Sequence, residues 1–331
     1  MPVEFLGDEQ AAAYGRFAAS PSAAELGRLC LLDDADRSLI ARHRGAAFRL
    51  GFALQLVTVR SVGAFLDDPL DVPVVVVDFV AEQLGIADPS CVKGYLERRS
   101  TRFEHGAEIS ASEGYRNFAD GVAALRVWMA GLAWTTGDGP GLIFDSAVGW
   151  LRGQRVLLPG VSTLVRLVAG ERDAASQRLF LTMAQLLTAE QANALDRLLE
   201  VPAGSRQSGL EDLRTGPGIA SGLGMVKALH RVSEISGLGV GGVDLAEVPV
   251  RRIGELARYG LAAKAPALRR HPTGRRRATL LATARWLHIR AVDDALDLLD
   301  DLMTTDLLAR AERESGKEKS RRYPRLSKDA G

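Results

Sequence analysis

The sequence has little of what most catalytic chemistry needs. There are 2 cysteines, Cys30 and Cys91, too far apart in sequence for a metal spacing or a disulfide framework, so a reducing cytoplasm is the expected setting. The 5 histidines (His43, His105, His230, His271 and His288) are scattered, and none stands at ligand spacing from a glutamate, a cysteine or another histidine. No nucleophile elbow occurs. "GPGIASGLGMVK" has the glycines and lysine of a phosphate loop at the wrong spacing, and "GLGVGG" follows a helical rather than a strand pattern, which makes it a linker. Long apolar runs are missing as well. No window of about 18 residues is free of charge, and "MPVEFLGDEQ" carries three acids and no long apolar stretch, so neither a membrane span nor a secretory signal is expected. A net charge of only +1 excludes a whole-chain polyanion signal; any such signal has to be local.

What is present is helix. The chain has 331 residues, 47% of them apolar, enough for two or three domains with real cores. "SPSAAELGRL" offers Ser20 as N-cap with Pro21 in the first turn, or a capping box of Ser22 and Glu25. "LDDADRSLIARHRG" has acids at its start and Arg42, His43 and Arg44 at its end, as the helix dipole favours, and Gly45 suits a left-handed stop. "RGAAFRLGFALQLVTVR" (44–60) alternates like a strand, yet Leu50, Leu54 and Val57 have helical spacing. As a helix it is apolar almost all round, with a narrow polar strip at Arg49 and Arg60. "DVPVVVVDFVAEQLGI" reads as a helix capped by Asp71 with Pro73 in its first turn, despite its four valines. "LTAEQANALDRLLE" carries a Thr188–Gln191 capping box. Residues 201–224 read as loop with a short helix inside, and 235–249 as a glycine-rich connector. The acid pairs Asp33–Asp34 and Asp67–Asp68 fall where caps and turns are expected.

Three features point to a polyanion. Arg42, Arg49 and Arg60, seven and eleven residues apart, fall within about 20° of one another if one helix carries them, a one-sided row of the kind that phosphate contact uses. The competing reading is a solvated face or ion-pair partners. In "LIFDSAVGWLRGQRVLLPGVSTLVRLVAGERD" a helix ends near Arg152, Pro159–Gly160 turns the chain, and Ser162 or Thr163 caps a second helix; this is a helix-turn-helix layout with Ser162, Thr163 and Arg166 where base edges are read. Residues 251–290 hold eleven cations against one acid, Glu255, a local charge of +10. Either a polyanion or the acidic helix at 293–306 would answer it.

At this point the motifs are familiar. "YGRF", "LDDADRSLIARHRG" and "RLGFALQLVTVRSVGAF" resemble the N-terminus of the large replicative transposases of the Tn-three family. The resemblance continues through "TRFEHGAEISASEGYRNF", "LLPGVSTLVRLVAGER", "RQSGLEDLRTGP" and "DDALDLLDDLM" to "LLARAERESGKEKSRRYPRLS", covering essentially the whole chain. It implies an all-α fold: small helical DNA-binding domains with helix-turn-helix character in series, followed by a helical dimerisation or linker region. These map onto 1–135, 136–245 (helix-turn-helix near 144–169) and 246–331. It implies sequence-specific binding of transposon terminal inverted repeats, double-stranded DNA as partner, and pairing with itself or a full-length transposase.

The family's RNase H-like DDE domain, which binds Mg²⁺, lies C-terminal to the part resembled. The expectation is therefore a chain that is not itself an enzyme, with no cofactor, no metal and no membrane partner, at work in the bacterial cytoplasm and on the nucleoid. The DNA-contact candidates are Arg42, Arg44, Arg49, Arg60, Arg98, Arg99, Arg102, Arg152, Arg155, Ser162, Thr163 and Arg166. The basic stretch adds Arg251, Arg252, Arg269, Arg270, Arg275, Arg276 and Arg277. Two other readings stay open: a truncated regulator that occupies transposon ends or pairs with the full enzyme, and a helical protein-interaction scaffold that binds no DNA.

Overall fold

The computed structural model describes residues 5–17, 21–66, 68, 70–98 and 100–322. Among them the fold is all-α, with one isolated β-bridge between Arg116 and Val156 and no strand. The chain divides into two compact units, Met1–Ala133 with Asp138–Ala174, and Trp134–Gly137 with Ala175–Gly331.

The first unit is built around α4. Helices α1 (Asp8–Ala13), α2 (Ala23–Leu29) and α3 (Asp34–Ile40) lead into α4 (Ala46–Val62); α5 (Val74–Gln83), a 3-10 segment (Pro89–Leu96) and α6 (Thr101–Glu113) follow. Ser22 and Glu25 form the capping box that starts α2, so the helix opens at Ala23 rather than at Pro21, and Ser20 lies outside the described residues. Asp33 caps α3 and Asp36 returns the bond. Asp68 accepts from the Leu70 N–H in a turn, and its neighbour Asp67 lies outside the described residues. Helix α5 begins at Val74 with Pro73 itself at the cap, two residues later than the Asp71 cap that the sequence suggests.

Helix α3 ends at Ile40, so Arg42, His43 and Arg44 stand in a turn beyond it. Gly45 then takes φ 89°, a conformation that side chains avoid, and separates this turn from α4. Arg42 therefore does not share a helix with Arg49 and Arg60. The strand-like alternation of 48–56 is overridden by burial on every side: Leu50, Phe52, Ala53, Leu54, Leu56, Val57 and Val59 are fully buried. When both faces are covered, alternation carries no information.

Several polar groups inside this core meet one another. Gln55 donates from Nε2 to the Tyr95 hydroxyl, which lies 3.0 Å from His105 Nδ1. The His43 ring packs on His105 with centroids 4.3 Å apart and reaches Glu108 at 3.5 Å. Two histidines that look scattered in sequence thus meet. Burial, with His43 adding to it, pushes His105 down to about 4. The folded state holds the neutral ring, so its stabilisation is complete above the unfolded value of about 6.5 and is lost as pH falls from there towards 4. Urea midpoints measured between pH 7 and pH 4.5 should fall, and His105→Gln should flatten that part of the profile.

Helices α7 (Phe118–Thr135), α8 (Pro140–Gly153) and the first half of α9 (Val161–Gln185) complete the unit.

The second unit holds the rest of α9, α10 (Ala189–Arg197), α11 (Gly209–Arg214), α12 (Gly222–Gly237), a 3-10 turn (Val240–Gly242), α13 (Val250–Ala262), α14 (Ala265–Arg269) and α15 (Thr273–Asp301). A π-helical stretch, Leu302–Leu308, leads into α16 (Ala309–Arg322). Thr188 and Gln191 form the capping box of α10. The core gathers Leu179, Leu195, Leu210, Leu256, Leu268 and Leu280–Ala282 around α15. No described helix is long and apolar enough to cross a membrane.

Candidate nucleic-acid interface

The connection between α8 and α9 is held from three directions. Arg155 takes φ 51° to turn the chain out of α8. Its carbonyl accepts from the Arg116 N–H at 2.9 Å, and the Leu157 N–H donates back to the Arg116 carbonyl at 3.0 Å. The Leu158 N–H donates to the Gly63 carbonyl at 2.9 Å, where α4 ends. The Tyr14 hydroxyl donates to the Pro159 carbonyl at 2.9 Å. Val156 is buried between these ties. The Gly160 carbonyl then accepts from Thr163 and Leu164, which opens α9 at Val161. Ser162 and Thr163 therefore lie inside the first turn instead of capping it. They are exposed with Arg166, whose Nε donates to the Ser162 carbonyl at 3.2 Å, while Leu164 and Val168 face the core.

The remaining candidates fall into distinct environments. Arg42 and Arg44 are exposed and Arg49 half-buried, with no side-chain partner among the described residues. Arg60 is committed internally: both its terminal nitrogens reach Asp36, at 2.8 and 2.7 Å, and Nε and one terminal nitrogen reach Glu113, at 3.2 and 2.7 Å. Both edges of its fork are used, which removes it from the candidate set. Arg98 makes a loose exposed pair with Glu104 at 3.5 Å, and Arg102 stacks over Phe103 at 4.6 Å. Arg99 lies outside the described residues. Arg152 donates to the Ser61 carbonyl and Arg155 to that of Glu113.

The basic stretch of the second unit is mostly spent at home. Arg252 is buried against Glu255 and Ser176. Arg276 and Arg277 both grip Asp196, from α10, at 2.8 and 2.9 Å. Arg275 packs over Phe180 and Tyr259, and Arg269 donates to the Leu199 carbonyl. Arg252, Arg276 and Arg277 leave the candidate set for the same reason as Arg60. Arg251 and Arg270 remain exposed and unpaired among the described residues.

The acidic run is not the partner of this stretch. Asp293 to Asp301 continue the same helix as Arg275 to Arg290, where a side chain reaches only its neighbours three or four residues away. Among the described residues Arg290 makes such a pair, with Asp294 at 4.0 Å. The counter-charge comes from Glu255, the one acid of the stretch itself, and from Asp196, which composition cannot single out.

Among the described residues no three His, Cys, Asp or Glu converge as a metal ion requires.

A family model described as "Domain of unknown function (DUF4158)" matches residues 5–170, nearly the extent of the first unit. The chain is 38% identical over its whole length to the transposase for transposon gamma-delta of Escherichia coli (strain K12), covering 33% of that protein. It is 56% identical over 39% of its length to the transposase for transposon Tn4556 of Streptomyces fradiae, and 32% identical over 84% of its length to that for Tn501 of Pseudomonas aeruginosa, covering 14% and 28% of them. It thus spans about a third or less of the relatives it matches. Half of its residues lie inside the family model and its relatives are transposases of the Tn-three family: the chain belongs to the family described as domain of unknown function (DUF4158).

Proposed function

We propose that this chain is the DNA-recognition part of a transposase and binds the terminal inverted repeats of a transposon. The observation that carries the proposal is the start of α9. Ser162, Thr163 and Arg166 project from the first turns of a 25-residue helix whose lead-in is fixed to α4, α1 and the α6–α7 junction, so polar side chains reach solvent from a rigid mount. This is how a recognition helix presents its N-terminal residues to a major groove. Arg42, Arg44 and Arg49 supply unpaired charge for phosphates in the same unit, and Arg251 and Arg270 do so in the other. We assign recognition to 1–135 and 136–245 and dimerisation or linking to 246–331, as the sequence suggests. None of the carboxylates is assigned to strand cutting.

Gel shifts with an inverted-repeat duplex and a random duplex of equal length test the proposal. Binding should prefer the repeat and weaken with salt by about 0.9 log units of affinity per log unit of salt for each phosphate neutralised. Arg166→Ala should cost about 1–3 kcal/mol on the repeat and little on random DNA. Arg49→Ala should weaken both duplexes alike and leave melting unchanged. Equal affinity for both duplexes in the wild type would refute the proposal.

A further inference from the structure

A cleft of about 300 Å³ in the first unit is lined by Arg16, Arg28 and Arg152 together with Glu25, Cys30 and Ser61. Three guanidiniums face one carboxylate, Glu25, which keeps its charge while accepting from the Ser22 N–H and hydroxyl at 2.8 Å each. Arg28 makes no hydrogen bond among the described residues, and its charge acts on the exposed Glu25 carboxylate three residues before it. Arg16 touches Asp71 at 3.3 Å, but both side chains are more than half exposed, where a pair contributes little. Arg152 spends one nitrogen on the Ser61 carbonyl, a neutral acceptor. Three guanidiniums against Glu25 and the exposed Asp71 leave the concavity an excess of one to two positive charges.

Its shape continues. A second cleft of about 320 Å³ shares Arg16, Ser61, Val62 and Arg152 and runs on to Asp145 and Leu158. Arg16 stands two residues after Tyr14, whose hydroxyl holds the Pro159 carbonyl immediately ahead of α9. The planar guanidinium fork matches tetrahedral oxyanions in geometry as well as charge. None of this follows from the motifs: Arg16 and Arg28 belong to no row, and only folding brings them to Arg152.

We infer that this cleft is a preformed site for a phosphate-type oxyanion, taken either as free phosphate or as a phosphodiester of a nucleic-acid backbone, with Arg16 and Arg28 supplying the charge. The inference does not rest on the proposed DNA recognition, since free phosphate alone would satisfy it.

The test uses the full chain and a double variant, Arg16→Gln with Arg28→Gln. Both side chains are exposed, so circular dichroism and melting in chloride should match the wild type. Inorganic phosphate at ten times its dissociation constant should raise the wild-type melting temperature by about 3–6 °C over chloride of equal ionic strength, and should not do so in the double variant. The salt slope for a random duplex separates the two sources. A slope shallower by about 2 in the double variant assigns the site to the backbone, and equal slopes with phosphate stabilisation assign it to the free anion.

Equal melting in phosphate and chloride together with equal slopes overturns the inference, as does phosphate stabilisation that survives in the double variant. If the wild type binds no duplex, the DNA proposal falls and the melting comparison still decides the cleft.

Discussion

Arg60→Ala should destabilise the first unit by about 3–4 kcal/mol, because it strands two carboxylates in a protein interior. Asp36 is 4% exposed and Glu113 is partly covered; Arg60 meets both through contacts of 2.7–3.2 Å. Removing the guanidinium leaves the burial cost with nothing to offset it. Arg60→Lys should recover only part of the loss, since one ammonium cannot reproduce a fork that serves two carboxylates. Urea denaturation at pH 7 reads both.

The same pair sets an acid limit. Burial alone would raise the Asp36 carboxyl, but the bonds from Arg60 and from the Asp33 backbone outweigh it and hold the group below the ordinary range. A depressed carboxylate stabilises the fold above its unfolded value of about 3.9 and loses that contribution as pH falls through its folded value. Wild-type stability should therefore drop again below pH 4, beyond the His105 window, and Arg60→Ala should show less of this second drop. A variant whose urea midpoint equals the wild type's would remove Arg60 from any structural role.

Gly51→Ala is the second large effect. An added Cβ would overlap the Tyr95 ring, which is fully buried and fixed through its hydroxyl by Gln55 and His105. The ring has nowhere to go, so α4 and the 3-10 segment must separate, at a cost of about 2–3 kcal/mol. Helix propensity works in the opposite direction by up to about 1 kcal/mol, so the sign of the result reports which force dominates. Gly149→Ala in α8, where an added Cβ meets nothing, is the matched control and should be neutral or stabilising by about 0.5–1 kcal/mol. If both substitutions stabilise alike, the close approach of Tyr95 to α4 is refuted.

These residues also mark what sequence reading reaches. The helices around Ser22–Glu25 and Thr188–Gln191 were legible because a capping box is written in four consecutive residues, whereas at Asp33 the sequence marked a cap but not the bond that Asp36 returns. Helix α4 required choosing between two periodicities, and burial on all sides removed the usual arbiter. The candidate interface was half legible. Pro159–Gly160 and the following Ser-Thr pair located the start of α9, but not its mount on Gly63, Tyr14 and Arg116, which lie far away in the chain.

The arginines were the least legible. Arg60, Arg252, Arg276 and Arg277 look like surface charge in sequence and prove to be internal, because their partners Asp36, Glu113, Glu255 and Asp196 come from other turns and other helices. Arg16, within the "YGRF" motif, and Arg28 carried no sign of a shared site, since a cleft is a property of three dimensions. Glu255, the one acid in the basic stretch, was visible but could not be matched to Arg252 without the helical register.

The Asp196 clamp on Arg276 and Arg277 has a consequence for how the second unit is assembled. Helix α15 carries cations at its head and aspartates at its tail, the order that its own peptide dipoles resist. A peptide of 273–301 should therefore be poorly helical in dilute buffer and gain helix as salt screens it. In the protein, the negative charge missing from the head is lent by α10. The head of α15 and α10 must then open together, as one cooperative block, and amide protons in Ala189–Arg197 and at 276–280 should exchange at a common rate that rises in both when Asp196 is replaced by asparagine.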